Sequence, residues 1–252
     1  MSKEPGFTAE LAEQADPEIG NEVIRVRYDD GRTEELHLHD YERLYALPGV
    51  YEQIVHDRLG CRSPAELADM LARAADALDW ERDAVRVLDI AAGNGVSGQA
   101  LAAAGLRPVL GTDIVPSAGE AALRDRPGLY DQYLTLDLLG LTDGERTAVR
   151  ALHANALSCV APVGAHGSEL PPEVLLAAAG LLAPDALVVY MHDPHHGLPD
   201  AMTAEVWAAG LGRAGADVQA QELERRRYVH RYTVNGAPFE MDAVVWRLRR
   251  AG

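Results

Sequence analysis

Apolar and polar positions along this chain recur with two periods, and the periods divide it into elements. Ile24, Val26 and Tyr28 alternate with Arg25 and Arg27, and Leu36 and Leu38 alternate with His37 and His39. Period two marks half-buried strands, and Asp29-Asp30-Gly31 supplies the turn between them. This hairpin sets two arginines and two histidines on one face and aliphatic side chains on the other. Residues 1–20 before it are polar, rich in Glu and punctuated by Pro5 and Pro17. They predict a loose segment with a short helix near Thr8–Gln14.

Asp40–Leu59 reads as helical pieces broken at Pro48-Gly49. Tyr41, Leu44, Tyr45, Leu47, Val50, Tyr51, Ile54 and Val55 form their apolar stripe. Ser63-Pro64-Ala65-Glu66 has the form of an N-cap, an N1 proline and a capping box, which predicts a helix to about Leu78. Strands and helices then alternate. Strands are expected at Val85–Ile90, Pro108–Asp113, Tyr130–Leu136, Asn155–Val160 and Ala186–His192. The helices between them begin near Gln99, Ser117, Asp143 and Pro172, and a fifth covers Ala201–Ala214. A hairpin closes the pattern, Val218–Thr233 and Phe239–Leu248 around Asn235-Gly236. Alternating βα units imply a parallel sheet.

The predicted fold is therefore α/β. It is a Rossmann-like, mostly parallel seven-stranded sheet with helices on both faces and a C-terminal antiparallel hairpin. An N-terminal β-hairpin and helical extension precede it. Residues 1–20 are the loose segment, 21–80 the hairpin and helical cap, and 81–252 the ligand-binding domain.

Composition narrows the function classes. The formal net charge of −16 opposes a polyanionic partner, because nucleic-acid affinity leans on neutralised phosphates. The one basic cluster, Arg225-Arg226-Arg227, falls in a predicted strand and reads as a solvated edge. A small-molecule substrate is favoured. No apolar run reaches the roughly 20 residues a membrane span needs. The start has no basic-then-apolar leader pattern. Cys61 and Cys159 form no metal or redox spacing, so reduced thiols and a cytoplasmic setting are expected. A homodimer remains open.

The chemistry concentrates where the first core strand ends, in Leu88-Asp89-Ile90-Ala91-Ala92-Gly93-Asn94-Gly95-Val96-Ser97-Gly98. Strand, glycine loop and helix together make a nucleoside cradle. Read literally, the glycines give the dinucleotide fingerprint. Asp89 redirects that reading, because a carboxylate is ill placed beside a pyrophosphate. It suits a cofactor with a cationic amino-acid end. Asp113 closes the second strand, where an acid accepts ribose hydroxyls or caps the next helix.

The segment Leu88–Gly95 resembles the first motif of the class I S-adenosylmethionine-dependent methyltransferases, often written L-D-x-A-C-G-T-G. Ala91 stands where many members have the first glycine, and Ala92 and Asn94 replace the frequent Cys and Thr. The resemblance covers roughly residues 75–250. It implies S-adenosyl-L-methionine as cofactor, held by Asp89, Ala91, Gly93, Asn94 and Gly95, with Asp113 and Ile114 after the second strand. It also implies adenine contacts from Asp137 and Leu138, a wall residue in Val160, and a covering tyrosine among Tyr41, Tyr45 and Tyr51, with Tyr51 chosen. The Asn/Asp-Pro-Pro-aromatic motif of amino-methylating DNA enzymes is missing.

His166 and His192 follow the fourth and fifth strands and are the candidate general bases. Either could instead be a polar rim residue. His192-Asp193-Pro194-His195-His196 invites a metal reading, but adjacent histidines seldom converge on one ion, and no metal is expected. The expected activity is methyl transfer to an O, N or C nucleophile of a small molecule by in-line displacement. A nicotinamide-dependent oxidoreductase and a non-catalytic nucleoside-binding protein on the same fold are the rival readings.

Overall fold

In the computed structural model, residues 6–12, 19–164, 170–194, 201–212 and 217–250 are described. The N-terminal part carries an antiparallel sheet of β1 (Phe7–Leu11), β2 (Val23–Tyr28) and β3 (Thr33–His37). Helix α1 (Tyr41–Ala46) and a π-helical stretch, Glu52–Arg58, complete this cap. Strand β1 lies where the sequence predicts a loose segment and a short helix. It pairs with β2 from Phe7↔Tyr28 to Leu11↔Ile24. Polar composition hid it because an edge strand buries few of its own residues.

Helix α2 (Ser63–Ala77) leads into the body. There follow β4 (Arg86–Ile90), α3 (Val96–Ala103), β5 (Arg107–Asp113), α4 (Pro116–Asp125) and β6 (Gln132–Thr135). Then come α5 (Asp143–Arg150), β7 (Ala156–Pro162), α6 (Pro172–Ala179), β8 (Asp185–His192) and α7 (Ala204–Leu211). The chain ends in a long hairpin, β9 (Val218–Tyr232) and β10 (Pro238–Arg250).

The large sheet has the order β6-β5-β4-β7-β8-β10-β9. Pairing is parallel from β6 across to β8, and β10 is antiparallel to both β8 and β9. Val188 and Tyr190 pack on the face that carries Leu175 of α6 and Trp207 of α7. Leu187, Val189 and Met191 pack on the opposite face with Leu67 and Leu71 of α2. Burial on both faces explains why β8 reads as an unbroken apolar run rather than an alternating one. The cap has its own core, built on Ile24, Val26, Leu36, Leu44 and Ile54.

Two features place a site. From β4 the chain passes to β5 on one side, and β7 later joins on the other, which leaves a crevice at the carboxyl ends of these strands. The cap lies against this end of the body. Arg62 N donates to His230 O at 2.9 Å and Tyr232 N donates to Leu59 O at 2.7 Å. The expected capping box at Ser63 is not formed. The Ser63 hydroxyl is hydrogen-bonded to Tyr228 at 2.7 Å and to His230 at 2.5 Å, while Glu66 accepts from Arg226 at 2.7 Å. Long-range partners outcompeted the local cap. Arg225, Arg226 and Arg227 are exposed on edge strand β9, as the basic cluster implied. Among the described residues no helix is long and apolar enough to cross a membrane.

Candidate active site

The glycine loop owes its shape to four backbone positions. Ala91 takes φ +50°, a left-handed value that costs a non-glycine residue roughly 1–2 kcal/mol. Gly93 follows at φ +53°, and a Cβ there would lie 2.5 Å from the Tyr45 hydroxyl. Asn94 offers its carbonyl to Arg126 at 2.9 Å, and Arg126 also reaches Glu52 of the cap at 2.9 Å. Gly95, at φ +88°, starts α3.

Asp113 closes β5 beside this loop. Its carboxylate accepts from Gly93 N and from Val115 N, each at 3.0 Å. Burial raises its pKa, and those backbone donors pull it back. A carboxylate has about four lone-pair sites, so two remain for a ligand diol. The two expected roles of Asp113, ribose acceptor and turn cap, are geometrically compatible.

Loop and acid form one end of a cavity of about 990 Å³. Ala91, Gly93, Asn94, Asp113, Ile114 and Val160 line it, as does Tyr51. Tyr41 and Tyr45 line it too, so all three tyrosines reach the site. Their rings pack together, Tyr41 on Tyr45 at 5.8 Å and Tyr45 on Tyr51 at 5.1 Å. A volume near the top of the range for cofactor sites leaves room for a nucleoside and a second molecule. Glycines and Asp113 fit the nucleoside end of S-adenosylmethionine.

Other expected site residues stand elsewhere. Asp89 is fully buried and off the cavity wall. Its Oδ2 accepts from Ser97 Oγ at 2.6 Å and from Tyr130 OH at 2.8 Å. Burial pushes its carboxyl up to about 6, against the pull of the Ser97, Tyr130 and Ser158 hydroxyls. It braces the loop from behind, and Gly95 likewise lies off the wall. Asp137 is exposed and accepts from its own turn, Leu139 N at 3.0 Å. Leu138 is buried against a different cavity, bordered by Arg146 and Arg150. Neither residue of this pair lines the cavity of the glycine loop.

His192 is also turned away. Strand alternation sends Met191 and Asp193 to the cavity and His192 to the other face. There Nε2 lies 3.1 Å from Arg225 and 3.7 Å from Asp242. His166, and His195 and His196 of the proposed metal run, lie outside the described residues. Among the described residues no three His, Cys, Asp or Glu side chains gather as a metal site.

Sequence reasoning missed the histidines that do line the cavity, His39, His56 and His230. His230 stands beside Arg231, and both reach the wall although they are neighbours on one strand. The register explains this. Arg231 pairs with Phe239 and Val229 pairs with Glu240, so His230 is the extra residue of a bulge. Bulges re-aim side chains, and no local sequence signal marks this one. Burial first, then Arg231 and His56, lower the His230 pKa to about 3. His39 and His56 are lowered as well, chiefly by burial. All three imidazoles are thus neutral near pH 7.

No protein-family profile matches the sequence, and no curated protein sequence does. Solved structures do. PH1948 from Pyrococcus horikoshii, provisionally assigned as an RNA methyltransferase, is similar with a TM-score of 0.50 and 14% identity. The match covers 76% of this chain and 85% of that one. The chain has the class I methyltransferase fold. Its terminal antiparallel hairpin is what this fold adds to a Rossmann-like sheet. TYW2 from P. horikoshii, solved with MeSAdo, matches at TM-score 0.48 and 14% identity over 75% of this chain and 64% of that chain. The plantazolicin methyltransferase BpumL, solved with SAH, matches at 0.46 and 10% identity over 85% and 95%.

Proposed function

We propose that this protein transfers a methyl group from S-adenosylmethionine to a small-molecule acceptor by in-line displacement. The observation that carries the reading is continuity. One cavity joins the glycine loop and Asp113 at one end to the cap and the β9–β10 tip at the other. Both reactants could meet there away from bulk water.

The cofactor would supply an electrophilic methyl group on a sulfonium. Asp113 would accept the ribose hydroxyls through its remaining lone pairs. Ile114, 66% exposed at the rim, offers an apolar platform for a base. Tyr41, Tyr45 and Tyr51 would cover the methyl end and exclude water. Alignment supplies most of the rate in such a site. A proton leaving the acceptor would pass to the neutral imidazole of His39 or to water. A cavity walled by the cap, in a chain of net charge −16, favours a small acceptor over RNA.

Calorimetry with S-adenosylhomocysteine and with NAD tests the reading. Micromolar-range binding of the first and none of the second is expected. NAD binding without S-adenosylhomocysteine binding overturns it.

A further inference from the structure

At the cap end of the cavity one charged side chain has donors to spare. Arg231 is 4% exposed and lines the wall. Its Nη1 hydrogens are used, on Glu22 Oε1 at 2.6 Å and on Tyr232 O at 3.3 Å. Glu22 is 1% exposed and its other oxygen accepts from Gly20 N at 2.8 Å. The guanidinium lies 5.8 Å from the Phe239 ring centroid, directly across the β9–β10 pair. Its Nε and Nη2 hydrogens have no partner among the described residues. Nor are these atoms sealed in protein, since they do not occur among the fully buried polar atoms that lack partners.

These donors face the cavity, where water or a ligand oxygen completes them. Glu22 neutralises the charge and fixes one edge of the guanidinium. The other edge, Nε and Nη2 side by side, is the half that matches the two oxygens of a carboxylate. The walls around it do not compete. His39, His56 and His230 are held neutral, and Phe239 and Met241 are apolar. Of the acids on this wall, Asp113 is engaged by Gly93 N and Val115 N.

We propose that the free edge of Arg231 binds a ligand carboxylate inside the cavity, with Glu22 and Phe239 holding the guanidinium in place. This inference rests on the methyltransferase reading only for one possible source of that carboxylate. It belongs either to the amino-acid end of the cofactor or to an acidic small-molecule acceptor lying against Phe239 and Met241. The recognition chemistry is the same in both cases.

Three probes separate the sources. S-adenosylhomocysteine carries the amino-acid carboxylate, 5′-methylthioadenosine lacks it, and benzoate carries a carboxylate without a nucleoside. Each is titrated calorimetrically into the wild type and into Arg231→Lys. Lysine keeps the charge opposite Glu22 and loses the fork. A loss of about tenfold or more for S-adenosylhomocysteine, with methylthioadenosine unchanged, supports the cofactor as source. The same loss for benzoate, with both nucleosides unchanged, supports an acidic acceptor. Unchanged affinities for S-adenosylhomocysteine and benzoate, or no binding of either to the wild type, overturn the inference. Failure of the wild type to bind S-adenosylhomocysteine would overturn the proposed function, while benzoate would still decide the role of Arg231. If Arg231→Lys does not fold, the paired variant Arg231→Gln with Glu22→Gln removes both charges together, and the same titrations apply.

Discussion

Tyr130 reaches across the body to donate its hydroxyl to Asp89 at 2.8 Å, tying down a carboxylate that lies off the cavity wall. On its way the ring covers Gly98 and Gly111, where a Cβ would collide with it. The glycine loop is therefore braced from inside the protein. Tyr130→Phe should weaken S-adenosylhomocysteine binding several-fold and lower stability by about 1 kcal/mol, the usual scale of one hydrogen bond. Urea titration and calorimetry on the same variant check it. An unchanged affinity would mean that the loop holds its shape without this brace.

The loop's tolerance of side chains should be opposite at two neighbouring positions. Gly93→Ala puts a Cβ against the Tyr45 hydroxyl at a left-handed φ. It should destabilise by about 1–3 kcal/mol. Ala91→Gly relieves a strained residue at φ +50° and should leave stability unchanged or raised, despite the added freedom of the unfolded chain. Chemical denaturation of both variants decides. A stable Gly93→Ala would contradict the described contact.

Asp113 has two tasks, so its removal should have two effects. Asp113→Ala should weaken S-adenosylhomocysteine by about 1.5–3 kcal/mol, the range for hydrogen bonds to a charged group. It should also lower unliganded stability by about 1 kcal/mol, because Gly93 N and Val115 N lose their acceptor. Calorimetry and melting curves read the two separately. Lost stability with full affinity would leave Asp113 as a turn cap alone.

Acid should destabilise this fold through its buried imidazoles. His230 is held at about 3 in the folded protein, against roughly 6.5 in an unfolded chain. The unfolded state therefore binds the extra proton. The stability this group contributes is complete above pH 6.5 and is lost as pH falls below it, at about 1.4 kcal/mol per pH unit. Asp89 acts in the opposite sense, since its raised pKa of about 6 lets the folded state take a proton first. His230→Gln should shrink the fall in Tm between pH 7.5 and pH 5. An unchanged fall would show that His230 is not held neutral.

Much of the architecture was written in the sequence. Hydrophobic period separated half-buried strands such as Val23–Tyr28 from the doubly buried Asp185–His192, and turn residues at Asn235-Gly236 set the terminal hairpin. The loop from Ala91 to Gly95 and the acid at Asp113 were legible because their chemistry is local, resting on backbone conformation and strand ends. What a side chain faces is not local. Asp89 was drawn to Ser97 and Tyr130, His192 fell on the far face of β8, and Asp137 satisfied its own turn. A bulge at His230 and a salt bridge to Glu22 brought Arg231 to the cavity from the opposite end of the chain. Period and propensity fix which elements form. Only packing between distant elements decides which polar groups are buried, which are paired, and which are left facing a ligand.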